Sequence, residues 1–266
     1  MTDTRVFGPL FHAQVIDFIR KLPTSRNLER DAKCLEIHLI ALAFVMPCIT
    51  CRRSYRKHYI ENLPDRAIQE TVSGARNKSL TRFDLDARYA LATYKLSEQE
   101  SKELIRSHNP LLLWWYSIKE MINESTGAPN LSYLSFLRRT RVWPHFAPQG
   151  AAHTIACLLA ENMRHSLDDL SDSTVLCEYE LRRMFYVDFF YCTSVLLEMV
   201  QDISSAAMYG RLAREYWSFL PRISHLIGDC KICDSGTHFH KSADSLEDAQ
   251  FQVRRIADSV QSELCK

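Results

Sequence analysis

The spacing of the apolar residues limits what this chain can fold into more than any other feature. Between Leu10 and Leu22, Phe11, Val15, Phe18, Ile19 and Leu22 recur every three or four positions and fall on one face of a helix. Leu35 to Met46 is almost wholly apolar and reads as a buried helix stopped at Pro47. A third helix is expected at or just before Cys48, running through Arg52, Arg53, Tyr55, Tyr59 and Ile60 to a break at Pro64. Residues 65–81 are polar and weakly patterned, a loop or short helix. Ser97 to Glu100 has the form of a capping box opening another helix to about Ser107, which His108-Asn109-Pro110 ends. Leu111 to Glu124 is a further helix carrying Trp114 and Trp115.

Trp143 to Gly150 places two prolines and a glycine in eight residues, the strongest boundary signal in the chain. Helices follow near 151–167, 174–201, 205–227 and 245–264, the last opened by Asp244 or Ser245. No repeat, low-complexity tract or run of alternating strands is found. The expected fold is all-α, with one helical unit over residues 1–143 and a second over 150–266.

Only seven glycines occur, and neither a dinucleotide fingerprint nor a phosphate loop is present. A formal net charge of +1 supplies no field to recruit nucleic acid or an anionic membrane. The start, Met1 to Arg5, leads into patterned sequence without a charged-then-apolar leader, and the longest apolar run, Leu39 to Met46, is too short for a bilayer. These features lead to the expectation of a cytosolic or nuclear chain. Nine cysteines in such surroundings point to catalysis or metal binding rather than a disulfide framework. Cys34, Cys157, Cys177 and Cys192 fall on apolar helices and are expected to be inert core thiols.

Cys48-Ile49-Thr50-Cys51 stands apart. A C-x-x-C at a helix N-terminus can close a small reducible ring, and the unpaired N–H groups there stabilise a thiolate. Pro47 fixes the entry, and Arg52, Arg53, Arg56 and Lys57 add positive potential. A zinc site would need two more ligands, and the nearest, Cys34 and His38, lack knuckle-like spacing. No thioredoxin-like strand precedes the pair, so the dithiol belongs to a helical scaffold and its electrons need an acceptor.

Three segments in order resemble one family. Phe7-Gly8-Pro9-Leu10-Phe11-His12 is similar to W-G-P-x-x-W, with other ring side chains in place of both tryptophans. Pro47-Cys48-Ile49-Thr50-Cys51-Arg52-Arg53-Ser54-Tyr55 resembles P-C-x-x-C with its basic, aromatic helix. The third motif, W-x-x-x-x-H-N-x-V-N-x-x-L-G-K-P, is matched by Trp114, Ile122, Asn123, Gly127 and Pro129, with Lys119, Glu120, Thr126 and Ala128 replacing His, Asn, Leu and Lys. This pattern resembles the Erv/ALR family of FAD-dependent sulfhydryl oxidases, in particular the divergent forms of large DNA viruses. It covers residues 5–141, with an insertion near 62–109.

The resemblance implies a flavin-binding helical bundle followed by a second helical unit. It implies FAD held by Phe7, Gly8, His12, Tyr55, Trp114, Lys119, Ile122, Asn123 and Arg139, with Cys51 toward the flavin and Cys48 exchanging with protein dithiols. Molecular oxygen would be the electron acceptor and hydrogen peroxide the product. It further implies a homodimer and, for a viral chain, the host cytoplasm or nucleus and association with virions. The aromatic run from Met184 to Tyr191 reads as a helix buried between partners. Cys230, Cys233, His238 and His240 leave three readings open: a shuttle dithiol, a zinc site, or neither. Two further readings of the whole chain stand beside the oxidase: a flavin-free scaffold and a zinc-binding interaction protein.

Overall fold

The computed structural model describes residues 4–74, 97, 99–100, 109–141, 147–148, 150–167 and 173–219. The fold is all-α: every regular element among them is helical. In chain order they are α1 (Thr4–Lys21), a short 3₁₀ turn (Leu22–Thr24), α2 (Leu28–Val45), α3 (Ile49–Glu61) and α4 (Asp65–Gly74). Then come α5 (Pro110–Thr126), α6 (Tyr133–Arg141), α7 (Ala151–Leu167), α8 (Ser173–Met199) and α9 (Ile203–Phe219).

Local chemistry sets these ends. Asp31, in the first turn of α2, takes the Ser25 hydroxyl and the Arg30 Nε–H at 2.9 Å, which pins the turn entering that helix. Helix α2 stops because Met46 precedes Pro47 and is extended (φ −52°, ψ 134°). Asn109 caps α5, its Oδ1 accepting from the N–H groups of Leu111 at 3.0 Å and Leu112 at 3.1 Å, with Pro110 in the first turn. Gly127, at φ 69°, ends α5 in the left-handed conformation that glycine tolerates best. The capping box is present as expected: Glu100 N–H donates to Ser97 Oγ (3.2 Å) and Ser97 N–H to Glu100 Oε2 (3.1 Å).

One continuous apolar core draws from both sides of residue 145. Phe18 and Ile19 of α1, Leu39 of α2, Tyr55 of α3, Leu111 and Ile118 of α5, Phe189 and Leu196 of α8 and Tyr209 of α9 all belong to it. Burying that many large side chains supplies the main stabilisation of a chain with so few special turns, roughly 1.5–3 kcal/mol for each one fully removed from water. Helix α8 lies along α2, with Phe44 stacked on Phe185 at 3.7 Å and the Tyr186 hydroxyl donating to the Val45 carbonyl at 3.4 Å. Gly210 lets α9 approach α8 closely, since a Cβ there would meet Ser194 Oγ at 3.1 Å. Tyr209 then donates its hydroxyl to the Ala152 carbonyl at 2.8 Å, joining α9 to the start of α7.

The short helix allowed for over 65–81 forms at Asp65–Gly74. Three details differ from the sequence reading. Helix α6 is an additional helix whose apolar side chains Leu134, Leu137 and Phe136 are buried. Cys157 is disulfide-bonded, which corrects the expectation of a free core thiol. The aromatic segment is not buried all round: Tyr186, Phe189 and Phe190 are in the core, whereas Tyr191 is 57% exposed. The proposed helix at 245–264 and the Cys230, Cys233, His238 and His240 group lie outside the described residues.

Candidate functional site

The site is built at the first turn of α3. Cys48 is its N-cap, with extended backbone (φ −85°, ψ 121°), and its Sγ accepts the Cys51 backbone N–H at 3.2 Å. This is the place a Ser or Asp side chain normally fills, satisfying one of the orphan N–H groups of the helix start. A sulfur held there faces the positive end of the helix dipole. The Cys51 thiol donates to the same Sγ, with the two sulfurs 2.6 Å apart. Both cysteines are free and half-buried. Burial first, then the bond to Cys48, pushes the Cys51 thiol up to about 12, against smaller downward pulls from its backbone N–H and Arg52. Cys51 therefore keeps its proton, and Cys48 Sγ is the acceptor of the bond between them.

Arg52 has a role that sequence reasoning missed. Rather than standing free as positive potential, it is 6% exposed, and its Nη1 donates to the carbonyls of Met46 (2.5 Å) and Pro47 (3.2 Å). It clamps the segment that enters the dithiol. Arg56 is likewise engaged, its guanidinium 4.3 Å above the Phe44 ring.

Helical spacing carries the site outward from Cys51. Tyr55, four residues on, shares its face of α3, is 2% exposed and donates its hydroxyl to the Leu39 carbonyl at 3.0 Å. The Tyr55 ring is 6.2 Å from Trp115, and Trp115 is 5.0 Å from the His12 ring. Lys119, four residues beyond Trp115 on α5, is close enough to His12 for its charge to act there. So α1, α3 and α5 converge through His12, Tyr55 and Trp115. Burial, and secondarily Lys119, pushes His12 down to about 4, leaving the ring neutral at ordinary pH. His12 Nδ1 and Trp115 Nε1 are both buried without a hydrogen-bond partner. Unpaired buried polar atoms are costly and need an explanation such as a ligand or water.

The other sequence-predicted residues divide. Phe7 is buried and edge-on to Phe11 at 6.1 Å, a core contact. Gly8 shares the face of His12, and a Cβ there would meet nothing within 4 Å. Lys119 is pushed down from its ordinary value by burial and then by the Arg139 charge, so α5 and α6 bring two cations together. Asn123 holds the turn after α5, its amide donating to the Pro129 carbonyl at 3.3 Å and Asn130 Oδ1 at 2.9 Å, and Ile122 packs half-buried against the core. Trp114 lies beside Trp115, 5.9 Å away, with its ring edge-on to Tyr59 at 6.0 Å and its Nε1–H donating to the Asn62 carbonyl. Trp115, which no motif marked, is the ring that meets both Tyr55 and His12; its signal was the four-residue spacing to Lys119.

A separate cavity of about 620 Å³ opens among α1, the start of α7 and the α8–α9 turn, lined by Gln14, Asp17, His153 and Asp202 among others, with no residue of α3. No group of metal-binding side chains is found among the described residues, and no described helix is long and apolar enough to cross a membrane. Comparison with protein-family models, curated proteins and solved structures finds no match to this chain.

Proposed function

We propose that this chain is a thiol oxidase of the Erv/ALR kind, using Cys48 and Cys51 to form disulfides in protein substrates with FAD as electron acceptor and oxygen as the final oxidant. The observation that carries the reading is the asymmetric dithiol, with Cys48 Sγ accepting the Cys51 N–H at 3.2 Å and the Cys51 thiol 2.6 Å away.

With Cys48 and Cys51 joined as a disulfide, a substrate thiolate attacks Cys48 Sγ and breaks the bond to Cys51. Cys51 leaves and takes a proton. A second substrate thiolate then attacks the substrate sulfur of the mixed disulfide, releasing Cys48. The products are a substrate disulfide and the reduced pair, two electrons having moved to the protein. Cys48 regains its N-cap bond on release, so the helix start favours the sulfur that must depart. Arg52 holds the backbone before Cys48 in register throughout.

The residues around the dithiol fit a flavin in their chemistry. The unpartnered atoms of His12 and Trp115 offer hydrogen bonds, open space flanks Gly8, and Lys119 with Arg139 supplies positive charge suited to a pyrophosphate. A bound flavin supplies a two-electron acceptor that oxygen can reoxidise. Neutral His12 keeps a third positive charge out of that region.

A flavin-free scaffold is the second reading. It is favoured by Glu120, which takes the Tyr116 hydroxyl and adds a carboxylate next to Lys119 where the family carries Asn. Oxygen uptake with a small dithiol separates the two. Protein produced with ample FAD consumes oxygen, and Cys48→Ala or Cys51→Ala abolishes the uptake; uptake unaffected by either substitution would rule the oxidase out.

A further inference from the structure

A second cysteine pair lies in the core, away from the dithiol of α3. Cys34 on α2 is 6% exposed and Cys192 on α8 is 1% exposed, and both are free thiols. Contacts independent of sulfur fix how these helices meet. Phe44 stacks on Phe185, Tyr186 reaches the Val45 carbonyl, and His38 bonds Thr193 Oγ1 at 3.0 Å while stacking on Phe189 at 4.7 Å. Position rises along α2 as it falls along α8, so the helices run antiparallel. Cys34, one turn before His38, thereby comes opposite Cys192, beside Thr193. Each thiol is near enough to act on the other: Cys192 pulls the Cys34 thiol down from its ordinary value, and Cys34 pushes Cys192 up.

We infer that Cys34 and Cys192 close a disulfide that fastens α8 to α2. Thiols that face each other across two packed helices need only a small approach to reach bonding distance. As thiols they contribute a weak hydrogen bond and ordinary packing; as cystine they close a loop of roughly 160 residues and restrict the unfolded chain. Cys157 shows that this chain already carries a disulfide elsewhere. The oxidant is a disulfide, small or protein-borne. Cys34 thiolate displaces one of its sulfurs, and Cys192 thiolate then attacks Cys34 Sγ and displaces the other. Two electrons and two protons leave with the reduced oxidant. Because both thiols are buried, exchange takes place before α8 docks or when it lifts. The bond is independent of flavin and of Cys48, so it can be tested whether or not the chain is an oxidase.

The full chain is reduced, refolded in buffer containing glutathione disulfide, unfolded with an alkylating agent and digested without reductant. Peptide mapping is expected to find the Cys34 and Cys192 peptides joined, and parted on reduction. Alkylation of both, or Cys34 joined to another cysteine, would overturn the inference. Thermal unfolding gives a second readout. The oxidised-minus-reduced difference in Tm should be about 10 °C greater for wild type than for Cys34→Ala. Equal differences would also overturn it, and the peptide map does not depend on that variant folding.

Discussion

Cys48 and Cys51 are the same residue type one helical turn apart, yet the turn gives them different surroundings. Cys48 accepts from the helix start, and Cys51, pushed up to about 12, remains a thiol through the range from neutral to mildly alkaline pH. Brief treatment of the reduced native protein with iodoacetamide should therefore label Cys48 well before Cys51 by peptide mass spectrometry. Equal labelling would contradict the asymmetry. A second residue-scale effect concerns His38, fully buried, bonded to Thr193 and pushed down to about 3 by burial. Its folded value lies below its ordinary 6.5, so the unfolded chain binds the extra proton. Stability is complete above the ordinary value and falls as pH drops from there toward the folded one, by about 1.4 kcal/mol per pH unit. His12, depressed to about 4, acts in the same direction. Urea unfolding should show a stability loss of about 2 kcal/mol from His38 alone between pH 7 and pH 5, and a smaller loss in His38→Gln. An identical loss in both proteins would count against it. The dithiol's position was legible because Pro47 and a helix start announce it. That Trp115, and not Trp114, meets His12 and Tyr55 was not, since neighbouring residues lie about 100° apart on a helix and the apolar pattern leaves its phase loose.

Among the elements, the best-read ends were those with their own chemistry. Asn109-Pro110 and Gly127 bracket α5, and the capping box expected earlier in the chain forms between Ser97 and Glu100. Asn109→Ala removes an acceptor from the N–H groups of Leu111 and Leu112 and should lower stability by about 1 kcal/mol in denaturant titration. A change near zero would mean that Thr71, whose Oγ1 also accepts from Leu111 N–H at 3.2 Å, carries the cap instead. Helix α6 was missed for a physical reason: it has nine residues, follows a glycine and a proline, and carries Arg138, Arg139 and Arg141 at its end. A segment that short is held by packing on α5, through Tyr133 and Phe136 against Tyr116, more than by propensity.

Across the whole molecule, periodicity and scarce glycine made an all-helical fold legible, but not the order in which helices meet. Nothing local in residues 173–199 says that they return to α2; that arises from shape matching of Phe44 with Phe185 and His38 with Phe189. The same long-range meeting pairs Cys34 with Cys192, and no spacing along the chain could have revealed it. The candidate site has this character too. Its sulfurs are local to α3, whereas its ring and cation wall is assembled from α1, α5 and α6.

That wall is open to direct measurement by the visible absorbance spectrum of the protein purified after expression with ample FAD. The protein should be yellow, with a bound-flavin band that bleaches when a dithiol is added without oxygen and returns on aeration. The bleaching should be lost in Cys51→Ala while the band itself is retained. A colourless wild-type protein that is folded by circular dichroism, with its dithiol intact, would contradict flavin binding.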